Sequence, residues 1–146
     1  HHQVYKFSSH YDSVARVPLV VAGPGVERLG VRGPLVEAID LGPTFLAMAG
    51  LEPLAGASGK SLQPLLAGAV TELRDCVFSE HGARVMARTQ EWKLVLYLGE
   101  SYGELYDLRS DPEELYNRYD DAEAGTARSD MVERTMHWYG TTRMER

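Results

Sequence analysis

The chain has 146 residues, of which 44% are hydrophobic and 25% charged, with a formal net charge of −6. This is ordinary globular composition, sufficient for one core or two small units. The acids are spread along the chain and there is no basic run, which disfavours nucleic acid and anionic membrane surfaces as partners. The longest apolar stretch, residues 17–22, is far shorter than the roughly 18 residues that span a bilayer. The single cysteine, Cys76, cannot form an internal disulfide, so the cellular compartment stays undetermined.

The first half of the chain predicts one strand and two short helices. Residues 17–22 (VPLVVA) form a nearly continuous apolar run closed by Gly-Pro-Gly, which is typical of a strand buried on both faces in a parallel sheet. A second strand, or a lead into a helix, is possible at residues 34–38. From Asp40 the pattern predicts a helix that ends at Gly50, and Ser61 begins a shorter helix that ends at Gly68.

The second half predicts a small antiparallel sheet followed by a helix. Four runs rich in β-branched and aromatic residues are joined by short turns, and short connections favour antiparallel pairing. The four runs are residues 76–80, 84–89, 92–98 and 104–108. Residues 111–114 (DPEE) read as a helix start, with Asp as N-cap and Pro in the first turn. A final helix is predicted at about residues 127–138, and the best domain boundary lies near residues 70–74.

Several segments, in order, resemble one protein family. They are Lys6 with residues 11–21 (YDSVARVPLVV), residues 39–46 (IDLGPTFL) with 49–51 (AGL), residues 59–68 (GKSLQPLLAG), residues 88–94 (RTQEWKL) and residues 104–117 (ELYDLRSDPEELYN). The ordered set is more specific than any single motif. It resembles the C-terminal portion of the type I, formylglycine-dependent sulfatases of the alkaline phosphatase superfamily.

The resemblance implies an α/β fold, here an α+β fragment. Residues 1–72 would form the end of an alkaline-phosphatase-like α/β domain, and residues 73–146 a C-terminal subdomain with a four-stranded antiparallel sheet packed on a terminal helix. The implied chemistry is hydrolysis of a sulfate monoester by a formylglycine, made from Cys or Ser in a C-x-P-S-R motif, beside a divalent cation that is usually Ca²⁺.

The nucleophile and the metal ligands of the family are expected in the remainder of a full-length parent. Cys76 lies in residues 74–78 (RDCVF), without the Pro and Arg of the maturation motif, so it is interpreted as a small buried strand residue. Ca²⁺ takes roughly six to eight oxygen ligands, and no group of acidic residues here has a spacing suited to supply them. Residues 120–123 (DDAE) are predicted to be a solvated loop. We therefore predict no cofactor in this chain.

Lys6 is the candidate catalytic residue that the resemblance carries over. The matching lysine of the family reaches the sulfate oxygens, and an ammonium is suited to hold an anion while an S–O bond breaks. His1 and His2 match a loop at the active-site rim, where either could donate a proton to the leaving alkoxide, or be part of a frayed terminus.

Three further residues are candidates for substrate binding. His10 precedes Tyr11 of the motif and could line the substrate pocket. His81, next to Glu80, and Arg88 come from the predicted sheet, which in the family can close one side of the cleft. Arg16 also recurs in the motif, but a structural ion pair or backbone contact is the better interpretation for it.

Three functions remain open on the sequence alone. The first is the C-terminal part of a sulfatase acting on a sulfated small molecule or carbohydrate, with the isolated chain inactive. The second is a phosphonate monoester or phosphodiester hydrolase of the same superfamily, and the third a non-catalytic binding module derived from it. We also predict that the isolated chain is poorly soluble or homo-oligomeric through residues 17–22, since an unpaired apolar strand favours association.

Overall fold

The computed structural model describes residues 9–28 and 30–144. The described residues form two compact units: residues 9–18 together with Phe78–Met144, and Leu19–Val77. The helices are α1 (Asp12–Ala15), α2 (Leu41–Met48), α3 (Gln63–Leu66) and α4 (Gly125–Met144). The strands are β1 (Val77–His81), β2 (Arg84–Arg88), β3 (Trp92–Tyr97) and β4 (Gly103–Asp107).

The four strands form one sheet in the order β1-β2-β3-β4, which confirms the predicted meander. Strands β2 and β3 pair antiparallel with Arg88 opposite Lys93, and β3 pairs antiparallel with β4 so that Lys93 also lies opposite Tyr106. Residues directly opposite one another share a face of the sheet. Arg88, Lys93 and Tyr106 therefore lie on the same face.

The opposite face of the sheet is apolar. Ala87, Leu94 and Leu105 are fully buried there, and α4 packs on β2 and β3. Within α4, Met131 and Thr135 are buried, and the Trp138 ring stacks on Phe78 at 4.8 Å between centroids. This confirms the predicted terminal helix, which is longer than expected at both ends. Met136 of the same helix is 49% exposed.

The other unit is organised around a buried carboxylate. Asp40 has no exposed surface, and its side chain accepts hydrogen bonds from both guanidinium nitrogens of Arg74 at 2.6 Å. It also accepts the backbone N–H groups of Glu37 and Lys60, each at 2.8 Å. Burial raises the pKa of Asp40, but Arg74 and the two N–H groups outweigh burial and hold that pKa below its ordinary value.

The two motif segments at residues 39–46 and 59–68 meet at this carboxylate. A Cβ atom at Gly59 would lie 2.2 Å from the Ile39 carbonyl oxygen, so the close approach requires glycine. The Thr44 hydroxyl donates to the Asp40 carbonyl at 2.6 Å and accepts the Leu62 N–H at 2.8 Å. These contacts give the motif residues a structural role. The helices predicted from Asp40 and Ser61 are confirmed as α2 and α3. Cys76 is buried as expected, but it lies just before β1 and not within a strand.

One predicted element is absent from the described residues. Residues 17–22 are not a buried strand: they form no ladder, and Val17 and Val20 are 70% and 90% exposed. A doubly buried strand needs paired neighbours, and the four described strands pair only with one another. Of the two alternatives predicted for residues 34–38, the lead into a helix is the one observed: residues 34–37 form no strand, and a 3-10 turn at Ala38–Asp40 leads directly into α2.

The predicted helix start at residues 111–114 is wrong as well. These residues form a turn in which the Asp111 carboxylate accepts the N–H groups of Leu115 and Tyr116 at 3.0 and 2.8 Å. The acid-rich residues 120–123 are largely exposed, as predicted, and lead through a 3-10 turn at Ala122–Ala124 into α4.

Candidate functional site

Lys93 lies at the centre of the unit that contains the four-stranded sheet (residues 9–18 and Phe78–Met144), which we call the sheet unit. Its side chain is 1% exposed. The Lys93 ammonium forms ion pairs with Asp12 Oδ1 and Glu114 Oε1, and it donates a hydrogen bond to the His10 carbonyl oxygen at 2.9 Å. These acceptors provide one partner for each N–H group of the lysine ammonium. Burial of a charge is costly unless it is paired in this way.

Asp12 is held from two directions. Besides Lys93, the Arg88 guanidinium donates to both carboxylate oxygens of Asp12 at 3.2 and 3.3 Å. Burial raises the pKa of Asp12, but the hydrogen bond and charge of Lys93, with Arg88, outweigh burial and lower that pKa below its ordinary value. Asp12 therefore stays ionised at neutral pH, and its four-residue helix α1 is attached to the sheet.

Glu114 completes the cluster from the turn after β4. Its side chain is 2% exposed, Oε1 pairs with Lys93, and Oε2 accepts the Asp12 N–H at 2.7 Å. Its φ of 59° is a left-handed conformation that non-glycine residues rarely adopt. The buried ion pair holds this conformation, which explains why the Asp-Pro-Glu-Glu segment does not continue into a helix.

We call Asp12, Arg88, Lys93 and Glu114 the sheet clamp. It joins residues separated by 81 positions (Asp12 and Lys93) and by 102 positions (Asp12 and Glu114). The sequence analysis placed all four in family motifs but assigned a candidate role to Arg88 alone. The sequence feature that could have identified the clamp is Lys93 itself, which lies within the mostly apolar strand at residues 92–97 (WKLVLY). A lysine buried in a strand is almost always paired with an acidic group.

An open pocket of about 210 Å³ adjoins the clamp. It is lined by Ser9, His10, Val14, Ala15, Ser79, Glu80 and His81. His10 is 6% exposed, and its Nδ1 atom has no hydrogen-bond partner among the described residues. Burial lowers the pKa of His10, with the nearby charges of Arg84 and Lys93 adding to the effect, so the imidazole is neutral at neutral pH.

The structure brings two of the predicted substrate-binding residues, His10 and His81, to one pocket. Arg88 is on the clamp, with its guanidinium directed at Asp12. The Arg16 side chain is exposed, and its backbone N–H donates to the Asp12 carbonyl oxygen at 3.0 Å. Lys6, His1 and His2 lie outside the described residues. The roles proposed for all of these residues stay predictions.

The described residues do not fit the metal expected from the resemblance. Residues 9–28 and 30–144 contain no group of three or more His, Cys, Asp or Glu side chains that could hold a metal ion. Their buried carboxylates, Asp40 and Glu114, are already bonded to cationic side chains. Within the same ranges, no helix has the length and apolar character needed to cross a membrane.

The family model for the C-terminal region of N-sulphoglucosamine sulphohydrolase matches residues 1–139. The chain belongs to the sulfatase family. It corresponds to the C-terminal portion of the family, as the ordered motifs predicted, and the four-stranded sheet with its helix confirms the predicted fold class.

Curated sulfatases are similar to this chain over most of its length. Arylsulfatase K of Gallus gallus is 37% identical over 132 residues, which cover 80% of this chain and 24% of the relative. The uncharacterized sulfatase YidJ of Escherichia coli K12 is 34% identical over 138 residues, covering 90% of this chain and 27% of the relative. The chain therefore spans about a quarter of the length of these relatives.

Solved structures agree in fold. A Bacteroides thetaiotaomicron protein assigned as a sulfatase superposes with a TM-score of 0.82 at 28% identity, over 93% of this chain and 32% of that one. BT4656, solved with its substrate D-glucosamine-2-N,6-O-disulfate, gives 0.62 at 25%, over 71% and 24%. The phosphonate monoester hydrolase of Agrobacterium radiobacter gives 0.64 at 27%, over 70% and 24%.

Proposed function

We propose that this chain is the C-terminal part of a sulfuric ester hydrolase that cleaves sulfate monoesters. The observation that carries the proposal is the sulfatase family match, which extends through residues 1–139 and so includes Lys6 within its motif. Identities of 34–37% to a named arylsulfatase and a named sulfatase support it. Fold likeness alone would not, because one fold can serve several reactions.

In this proposal Lys6 contacts the sulfate group. Its ammonium would hold the anionic oxygens and offset negative charge as the S–O bond breaks. His1 or His2 would lie at the rim as a proton donor to the leaving alkoxide. The pocket that contains His10 and His81 would form part of the substrate wall, where a neutral imidazole can exchange hydrogen bonds with a hydroxyl group.

A sulfated carbohydrate is the substrate class we favour. The support is that the similar structure BT4656 binds a glucosamine disulfate. The polar pocket wall of His10, Glu80 and His81 is compatible with a sugar, whose hydroxyl groups are both donors and acceptors.

The formylglycine and a divalent cation, which we propose to be Ca²⁺, would be supplied by other segments of the full-length protein. The described residues offer no metal site, so no step of the reaction is assigned to them through the metal. We propose accordingly that the isolated chain does not turn over a sulfate ester, because electrostatic stabilisation without a nucleophile is insufficient.

The test is steady-state hydrolysis of 4-nitrophenyl sulfate by the full-length protein and by its Lys6→Ala variant. We expect a loss in kcat/KM of about 100- to 1,000-fold, the scale for removing one preorganised oxyanion-stabilising group. Lys60→Ala is the matched control, because this exposed lysine donates to the Leu73 carbonyl oxygen in the other unit. Equal rates for wild type and Lys6→Ala would contradict the role of Lys6. Turnover by the isolated chain would contradict its proposed inactivity.

A phosphonate monoester or phosphodiester hydrolase is the second candidate, favoured by the likeness to the Agrobacterium radiobacter enzyme. Comparing kcat/KM for an aryl sulfate, an aryl phosphonate monoester and an aryl phosphodiester distinguishes the two reactions. A preference for either phosphorus ester would replace the sulfatase proposal. No turnover of any of the three by the full-length protein would instead favour the non-catalytic module.

Self-association is proposed for the isolated chain through residues 17–22. Val17, Leu19 and Val20 are exposed in a segment that is neither helix nor strand, and an exposed apolar segment of this composition is prone to strand pairing. Light scattering tests this. A Val20→Lys variant should be less associated than the parent chain, and a monodisperse monomer of the parent chain would contradict the proposal.

A further inference from the structure

We propose that the pocket beside the sheet clamp is a subsite for the neutral hydroxyl groups of one sugar ring, with Ser9 and His10 as its specificity-determining residues. The sulfate group of the same substrate is bound outside this pocket. The ligand class rests on the proposed function, in which the substrate is a sulfated carbohydrate. The lining residues within the described part of the chain all belong to the sheet unit, so the subsite is built on one compact body.

Two polar atoms at this pocket are buried and have no hydrogen-bond partner among residues 9–28 and 30–144. They are Ser9 Oγ and His10 Nδ1, and both residues line the pocket. The His10 side chain belongs to a residue that is only 6% exposed. A buried polar group without a hydrogen bond is costly, and the large majority of such groups in folded proteins have a partner. A ligand in the pocket supplies these partners.

The chemistry of the two atoms fits hydroxyl groups. Burial lowers the pKa of His10, with the charges of Arg84 and Lys93 adding to the effect, so its imidazole is neutral at neutral pH. A neutral imidazole has one N–H donor and one acceptor nitrogen, and a serine hydroxyl both donates and accepts. A sugar hydroxyl also does both, so it can pair with Ser9 Oγ and with His10 Nδ1 in either tautomer.

The remaining wall of the pocket fits the apolar part of a sugar. Val14 and Ala15 line the same pocket as the polar groups. A sugar ring carries C–H groups on its faces and hydroxyl groups at its rim, so it is bound best by a wall of both kinds. Pockets for drug-sized ligands have volumes of roughly 300–1,000 Å³, whereas this one has about 210 Å³. Its size therefore corresponds to one ring.

The charges at the pocket disfavour the sulfate group itself. Glu80 lines the pocket, and no lysine or arginine within the described ranges does so. The Lys93 ammonium, which binds the His10 carbonyl oxygen, is already paired with the Asp12 and Glu114 carboxylates. A sulfate beside Glu80 would meet a like charge, which is unfavourable in a binding site. The pocket therefore selects the neutral part of a sulfated sugar.

The experiment measures binding of neutral sugars to the full-length protein by ligand-observed NMR titration. The probes are the methyl glycosides of D-glucose, D-galactose, N-acetyl-D-glucosamine and D-xylose, with methoxycyclohexane as a ring of similar size that has no hydroxyl groups. We expect a glycoside to bind about 10-fold or more tightly than methoxycyclohexane, the scale of a few net hydrogen bonds. An excess of sodium sulfate should leave that affinity within about 2-fold, because the pocket does not hold the anion.

Two substitutions locate the site. Ser9→Ala removes the unpaired hydroxyl, and His10→Phe removes both ring nitrogens but keeps the backbone carbonyl that Lys93 binds. Each should weaken glycoside binding by about 10-fold. The matched controls are Ser129→Ala and His137→Phe, which change exposed residues of α4 and should alter the affinity by less than about 2-fold. Circular dichroism checks folding, and Ser9→Ala, which removes one oxygen atom, keeps the test decisive if His10→Phe does not fold.

The outcomes separate the subsite from the proposed function. Loss of glycoside affinity in the pocket variants, with both controls unchanged, supports the subsite. Three results would overturn it: no glycoside binding more tightly than methoxycyclohexane, equal binding by the pocket variants and wild type, or displacement of the glycoside by sulfate. None of these affects the sulfatase proposal, which depends on turnover of 4-nitrophenyl sulfate. A protein that binds a glycoside through Ser9 and His10 but hydrolyses no sulfate ester would overturn the sulfatase proposal alone.

Discussion

The two units each bury one acid–base cluster, and the clusters are built in opposite ways. In the Leu19–Val77 unit an anion, Asp40, is at the centre and accepts four hydrogen bonds from Arg74 and two backbone N–H groups. In the sheet unit a cation, Lys93, is at the centre and is surrounded by acceptors. In each cluster, protein groups supply hydrogen-bond or ion-pair partners for the central side chain.

The difference lies in what each cluster connects. Asp40 joins residues 3 to 34 positions apart, within one unit of loops and short helices. The sheet clamp joins Asp12 to residues that lie 76 to 102 positions later, so that it attaches an N-terminal segment to a C-terminal sheet. A buried charge near its partners in sequence stabilises local structure. A buried charge distant from them determines which parts of the chain meet.

The largest expected effect is at the centre of the first cluster. Asp40→Ala removes all four hydrogen bonds that the Asp40 carboxylate accepts. The Arg74 side chain, which is only 7% exposed, then keeps Glu37 as its ion-pair partner. Losing one member of a buried pair costs about 3–5 kcal/mol in the free energy of unfolding. Urea unfolding followed by circular dichroism measures it. A loss below about 1 kcal/mol would mean that Asp40 is not the organising group of its unit.

A smaller effect is expected at the glycine beside Asp40. Gly59→Ala places a methyl group 2.2 Å from the Ile39 carbonyl oxygen, which must displace backbone and should cost about 1–3 kcal/mol. Gly42→Ala is the matched control, because nothing lies within 4 Å of its Cβ position and it is in α2. That change should be neutral or stabilising by up to about 1 kcal/mol. Equal destabilisation by the two substitutions would contradict the close approach.

The two units should also respond differently to acid. The pKa of His10 is lowered by burial, so its contribution to stability is complete above the ordinary histidine pKa of about 6.5 and declines as pH falls through the folded value. The pKa values of Asp12 and Asp40 are also lowered, so their contributions begin to decline only below the ordinary aspartate pKa of about 4.

The sheet unit contains His10, and residues 19–77 contain no histidine. We therefore expect the sheet unit to lose stability first as pH falls from 7 to 5. Trp92 and Trp138 both lie in that unit, so tryptophan fluorescence reports on it selectively. His10→Gln should flatten the change between pH 7 and 5. A pH response unchanged by His10→Gln would exclude this histidine as its source.

The smallest effect is expected at an exposed pair. Arg134 and Asp130 form an i,i+4 ion pair on α4 with side chains 36% and 57% exposed. Arg134→Ala should change the free energy of unfolding by about 0.5 kcal/mol or less. A loss comparable with that of Asp40→Ala would mean that burial does not distinguish the ion pairs of this protein.

Much of the sheet unit could be predicted from the sequence, because its signals are local. Runs of β-branched and aromatic residues separated by short turns predicted the four strands to within one or two residues. In the other unit, glycines just after α2 and α3 marked the ends of those helices. The ordered motifs also specified the family. The pocket at His10 and His81 was anticipated only as two separate candidates.

The remainder depends on contacts distant in sequence. Residues 111–114 have the local pattern of a helix start, but Glu114 is drawn into a buried ion pair with Lys93. Residues 17–22 have the composition of a buried strand, but composition does not provide pairing partners. The attachment of residues 10–12 to the sheet gave no local signal, because its cause is a lysine 81 positions after Asp12.

The length of that connection has a consequence for how the protein is made. During synthesis, Asp12 emerges long before Glu114, and closing a loop of 102 residues requires a large loss of chain entropy before any contact forms. Contacts at such separations form late and slowly compared with the hairpins of the sheet. The segment at residues 10–12 can therefore gain its contact with Glu114 only after that residue has been synthesised, and a chain interrupted before Glu114 would lack this contact.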